Sequence, residues 1–130
     1  MAKILVVDDE RDVVELLKFL LSKDGNIVEG VSDGKQALEK IGLLPSAGEI
    51  FSPDLVVLDV MMPVIDGYTV QRRMWGNTAS KDIPILILTA KGHMKDLFGA
   101  SSNVVSYIEK PFDPEILRAK IRDILKKRNI

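Results

Sequence analysis

The sequence has no cysteine, and histidine occurs once, at His93. Without thiols there is no disulfide, no thiolate metal site and no cysteine nucleophile. A single histidine removes histidine-cluster metal centres and argues against a catalytic triad. An excess of charge of one sign is also missing. The 18 basic and 19 acidic residues leave a net charge of −1, which provides no broad attraction to nucleic acid or to an anionic membrane. Long hydrophobic runs are absent too. The first apolar run, Ile4 to Val7, stops at Asp8-Asp9-Glu10, too short for a signal peptide or a membrane span. The protein is therefore expected in the cytoplasm. No phosphate-binding glycine loop, dinucleotide fingerprint, internal repeat or low-complexity tract occurs.

What is present is an ordinary globular composition: 130 residues, 46% hydrophobic and 28% charged. That is one domain's length, enough to bury a core. Ile4-Leu5-Val6-Val7 predicts a first strand. Apolar residues from Asp12 to Leu21 recur at helical spacing, and Gly25 marks the stop. Ile27 to Val31 is a second strand, interrupted by Glu29 and Gly30. Asp33-Gly34 opens a short helix through Lys40, with Ala37, Leu38 and Ile41 inward. Leu43 to Pro53 reads as a loop longer than usual. Leu55 to Leu58 is a third strand, ending at Asp59. After Asp66-Gly67, a turn and helix start, a helix runs to about Trp75, with Val70 and Met74 packed inward and Trp75 a packing residue at its end.

Pro84 to Leu88 is a fourth strand, ending at Thr89-Ala90. Lys91 to Ser102 predicts a helix of weak propensity, because it holds two glycines and two serines. Val104 to Glu109 is a fifth strand, ending at Lys110-Pro111. Asp113-Pro114-Glu115 is a strong helix start, and Ile116, Leu117, Ile121, Ile124 and Leu125 form that helix's inner stripe.

Strands alternating with helices predict an α/β fold with a parallel sheet. The first, third and fourth strands are apolar throughout, as central strands covered on both faces are. The second and fifth carry polar residues, which suits the edges. With right-handed crossovers the simplest order is 2-1-3-4-5, a flavodoxin-like doubly wound (βα)5 sandwich of three layers. All strand ends then share one rim. Asp8, Asp9, Asp59, Thr89 and Lys110 converge there, at the switch point where ligands bind. Gathered carboxylates repel one another unless a cation intervenes. Oxygen ligands without histidine or cysteine point to a hard divalent ion, Mg²⁺ before others. A hydroxyl and an ammonium beside it suit an oxyanion such as a phosphoryl group.

Four segments in order, VVDDE, LDVMMPVIDG, LTA and YIEKPF, closely resemble the receiver domain of two-component response regulators, including the single-domain chemotaxis type. The resemblance runs over essentially the whole chain. It implies that Asp59 is the phosphoacceptor and that Asp9, Asp59 and the backbone carbonyl of Met61 hold Mg²⁺ (or Mn²⁺), with Asp8 nearby or acting through water. It further implies that Lys110 pairs with the phosphoryl oxygens, that Thr89 hydrogen-bonds to them and moves inward, and that Tyr107 is the aromatic switch. The implied partners are a histidine kinase or phosphotransfer protein and a downstream protein target or output domain. A phosphorylation-dependent dimer is compatible with this; direct nucleic-acid and membrane contacts are not expected. Residues 1–130 are expected to be a single receiver without an output domain.

Other readings stand beside this one. An Asp-Asp pair before a helix ordinarily serves as a cap, and Tyr107 could simply cover the sheet edge. A Mg²⁺-dependent phosphatase or phosphotransferase with an aspartyl nucleophile is the main rival, although its usual Asp-x-Asp pattern is found at neither Asp8 nor Asp59. A phosphorylation-independent interaction domain is a third. The basic residues of the last helix bunch at its C-terminus, where they complement the helix dipole. Against the family pattern, Asn103 replaces a common glycine, where it still suits a helix end, and Leu43 to Pro53 is long. Met61 has no group to orient an attacking water.

Overall fold

The computed structural model describes residues 1–90 and 103–129. The helix expected over Lys91 to Ser102, together with His93, lies outside the described residues. The elements are β1 (Lys3–Val7), α1 (Arg11–Lys23), β2 (Ile27–Val31), α2 (Gly34–Lys40), β3 (Leu55–Asp59), α3 (Gly67–Trp75), β4 (Ile85–Ala90), β5 (Val104–Lys110) and α4 (Pro114–Lys127). The strands form one parallel sheet in the order β2-β1-β3-β4-β5, as the strand compositions predict.

Alternation along each central strand divides the core into two layers. Ile4, Val6, Leu55, Val57, Leu86 and Leu88 face α1 and α4, where they meet Val14, Leu17, Leu21, Leu117 and Ile121. Leu5, Val7, Val56, Leu58, Ile85 and Ile87 face α2 and α3, against Ala37, Leu38, Val70 and Met74. Because side chains alternate faces, a slip of one residue would exchange the two sets. Both sets are apolar, so hydrophobicity alone does not set the register. The strand ends do: a slip would draw Asp8 or Asp59 into the sheet interior, where an ionised carboxylate is costly.

Several boundaries differ from the sequence reading. β4 runs on to Ala90 and β5 to Lys110, because Thr89 pairs with Glu109 and Ala90 with Lys110. Thr89 and Lys110 are therefore ladder positions, the next-to-last of β4 and the last of β5, and not the first loop residues. Ile116 does not belong to the inner stripe of α4 and is 53% exposed. The buried set is Leu117, Ile121, Ile124 and Leu125, and a residue beside Leu117 turns roughly 100° away from it. For the same reason Trp75 is exposed while Met74 is fully buried. The long Leu43–Pro53 segment folds back: the Phe51 N–H donates to Lys40 O at 2.7 Å, and Leu43, Leu44 and Phe51 pack on the α2/α3 layer.

Candidate functional site

β1, β3 and β5 each lead to a charged side chain at the same rim. Asp8 lies just past β1 with no exposed surface, Asp59 closes β3 at 4% exposure, and Asp9 is exposed. One carboxylate oxygen from each of the three lies within 4.8 Å of the others. Lys110, at the end of β5, reaches back among them. Its Nζ is 2.7 Å from Asp8 Oδ2, 2.8 Å from Glu10 Oε1 and 3.6 Å from Asp59 Oδ1. The Glu10 N–H donates to the other Asp8 oxygen at 2.8 Å.

Burial and neighbouring charge together set the protonation behaviour here. Burial, then the adjacent Asp8 carboxylate, push Asp59 up to about 7, and Lys110 only partly opposes this. Burial disfavours the charged form of Lys110 too, but hydrogen bonds to Asp8 and Glu10, with Asp59 nearby, outweigh it and hold its pKa above the ordinary value. Three carboxylates thus share one ammonium, with Asp9 at the same rim. Such a surplus of buried negative charge, presented as oxygen donors only, fits a hard divalent cation.

Backbone packing places Asp59. Gly67, the first residue of α3, presses against it so closely that an added Cβ would stand 2.1 Å from Asp59 O, and the Gly67 N–H donates to Val60 O at 2.8 Å. Asp66 caps the helix through a 2.8 Å hydrogen bond accepted from the Thr69 N–H. Asp66-Gly67 is a turn and helix start as expected, with the additional task of seating α3 on the acidic rim. On the connection from Asp59 to Asp66, Val64 takes a left-handed conformation at φ 69°, a strained one for a β-branched residue.

The other expected residues fall as follows. Thr89 is buried on β4, one step beyond Leu88, the residue paired with Asp59. Its Oγ1 donates to Ala90 O at 3.4 Å, a long contact. Tyr107 packs on the α2/α3 layer, and Tyr107 and Thr89 line the same open groove of ≈ 460 Å³. Met61 is 60% exposed in the irregular segment after β3.

The sequence reading missed two features. Glu10 was passed over, although an acid directly after an acidic pair was a visible signal. It is also an acid two residues past Asp8, yet its carboxylate is engaged by Lys110. Asn103, expected from the sequence to suit a helix end, makes a contact that the sequence does not reveal. It is buried and pairs with Gln71 of α3, whose Nε2 donates to Asn103 Oδ1 at 2.9 Å.

A doubly wound sheet with this acidic rim and an inward-reaching lysine defines a class, and residues 4–122 match the family described as "Response regulator receiver domain". The chain belongs to that family, the receivers of two-component signalling. Among curated relatives it is 40% identical over 129 residues to the alkaline phosphatase synthesis transcriptional regulatory protein PhoP of Bacillus subtilis, covering 98% of this chain and 50% of that one. It thus spans about half the length of the curated relative. Among solved structures it resembles the chemotaxis response regulator CheY4 of Vibrio cholerae, with a TM-score of 0.82 and 29% identity over 96% of this chain and 99% of that one. It also resembles the response regulator TrrA of Thermotoga maritima in complex with Mg²⁺-BeF, with a TM-score of 0.75 and 33% identity, covering 96% of this chain and 100% of that one. As a receiver, the chain is a phosphoacceptor switch. No helix among the described residues is long and apolar enough to cross a membrane.

Proposed function

We propose that Asp59 is the acceptor and that residues 1–130 act as one receiver unit. An oxygen of the Asp59 carboxylate attacks the phosphorus of a phosphohistidine on a partner kinase or phosphotransfer protein. The O–P bond forms as the P–N bond breaks, and the departing imidazole leaves neutral once protonated. Water later cleaves the acyl phosphate to carboxylate and inorganic phosphate. Loss of phosphate by this route is the only turnover the chain performs.

The observation that carries this reading is the Lys110 ammonium, aimed between Asp8 and Asp59 at 2.7 and 3.6 Å. An ammonium there can accompany the equatorial oxygens of a transferring phosphoryl group, whose charge must be met by fixed donors. Asp9, Asp59 and the Met61 carbonyl would hold Mg²⁺ (or Mn²⁺), with Asp8 beside it; when bound, the ion neutralises charge on the carboxylates and the phosphoryl oxygens. Thr89 supplies a hydroxyl to the phosphoryl group, and its inward movement draws Tyr107 with it through their common groove. That shifts the surface of β5 and α4 between two populations. The helix expected over Lys91 to Ser102, which would complete that surface, lies outside the described residues.

We place this unit in the cytoplasm, with a histidine kinase or phosphotransfer protein upstream and a protein target, output domain or second phosphorylated copy downstream. Direct contact of these residues with nucleic acid is not part of the proposal: Lys126 and Lys127 lie in the last turn of α4, at its negative dipole end, and Arg118 is paired with Asp24 and Glu115.

Incubation with a small phosphodonor and Mg²⁺ tests the reading. The expected result is stable label on the wild type and none on Asp59→Asn. Free phosphate released at high turnover would make the chain a phosphatase. Absence of label with an active donor would make it a phosphorylation-independent interaction domain.

A further inference from the structure

The helix starts differ in how they use the cap residue. Asp33, Asp66 and Asp113 each accept from a backbone N–H of the first turn. Glu10, the residue at the same position of α1, makes no side-chain cap hydrogen bond. Its carboxylate instead accepts from Lys110 Nζ at 2.8 Å, across 100 positions of sequence. The side chain remains 61% exposed, whereas the Asp8 side chain on the same ammonium is fully buried.

We propose that Glu10 restrains uptake of the phosphoryl group: it pairs with Lys110 at the pocket mouth and competes with the phosphoryl oxygens for that ammonium. This rests on the reading of Asp59 as acceptor. An ammonium has three protons to donate, and here three carboxylates surround it. A phosphoryl group on Asp59 must take a share from one of them. Asp8 is the harder to displace, because a buried carboxylate left without its partner is strongly disfavoured. Glu10 returns to water at little cost, since an exposed ion pair contributes little net stability. Glu10 is therefore the contact that yields. Its charge at the mouth also opposes an arriving anion, so the tether keeps Lys110 in place at the expense of affinity for the phosphoryl group.

The test is calorimetric titration of beryllofluoride, in Mg²⁺, into the wild type, Glu10→Gln, Asp12→Asn and Asp59→Asn. Asp12 is an exposed acid in the first turn of α1, so its variant removes the same charge two positions away from Glu10. Glu10→Gln should bind about two- to fivefold more tightly than the wild type, the range one exposed ion pair supports. Asp12→Asn should match the wild type. A merely structural role for Glu10 would weaken binding instead. Equal or weaker binding by Glu10→Gln, or an equal gain in Asp12→Asn, overturns the proposal. Failure of the acceptor reading looks different: the wild type takes up no beryllofluoride, or Asp59→Asn binds it as the wild type does.

Discussion

Burial and the Asp8 carboxylate push Asp59 up to about 7, and a consequence for stability follows from the sign of that shift. A carboxyl with a raised folded pKa binds its proton more tightly in the folded than in the unfolded chain. Its contribution is full below the unfolded value and is lost as pH rises through the folded one. In chelator, the wild type should therefore lose stability between about pH 4 and 7 relative to Asp59→Asn. Above that window Asp59→Asn should be the more stable by roughly 1–4 kcal/mol, as read by urea unfolding at a series of pH values. Parallel curves for the two proteins would contradict the shift. Met61 is exposed beside the rim and has no polar side-chain group. Met61→Asn, which can orient a water by hydrogen bonding, should lose its acyl phosphate faster than the wild type. The decay of label after the donor is removed measures this, and equal or slower decay in the variant would refute it.

At the scale of elements, α3 is held against the acidic rim at one end and against the start of β5 further along. Its first residue has no room for a side chain, since a Cβ on Gly67 would stand 2.1 Å from Asp59 O. Gly67→Ala must move either the helix or the β3 end. We expect a loss on the order of 1–3 kcal/mol, the range for overpacking, together with slower labelling of Asp59. A variant as stable as the wild type would mean that α3 seats less tightly than it does here. Val64, on the same connection, lies at φ 69° and is 83% exposed. Val64→Gly relieves a left-handed β-branched residue, for a gain of roughly 1 kcal/mol, readable as an increase in melting temperature. The gain is modest because glycine also adds freedom to the unfolded chain.

For the whole molecule, the acidic rim exists only when β1 and β3 are paired, because Asp8, Asp9 and Asp59 are brought within 4.8 Å by that pairing. A cation that needs all three binds the folded chain alone and stabilises it by mass action. Mg²⁺ should raise the melting temperature of the wild type, and the increment should largely vanish in Asp9→Ala. An equal response of the two proteins would mean that the ion binds elsewhere. The sheet is covered on both faces by separate layers, so this site sits at the rim without disturbing the packing of either.

The sequence alone determined the strand order and, among the described residues, the order of elements, because hydrophobic period and edge polarity are local properties that survive without coordinates. It also placed Asp8, Asp9, Asp59 and Lys110 at one rim, since each stands where an apolar run meets a polar residue and parallel strands bring such ends together. Only the tertiary structure decided that Glu10 reaches Lys110, that Gln71 meets Asn103 and that Gly67 abuts Asp59. These contacts join residues from different parts of the chain, and the choice depends on ångström-scale distances between packed backbones. The exposed positions of Ile116 and Trp75 were settled the same way, by the rotation of each helix on the sheet, which no window of residues encodes.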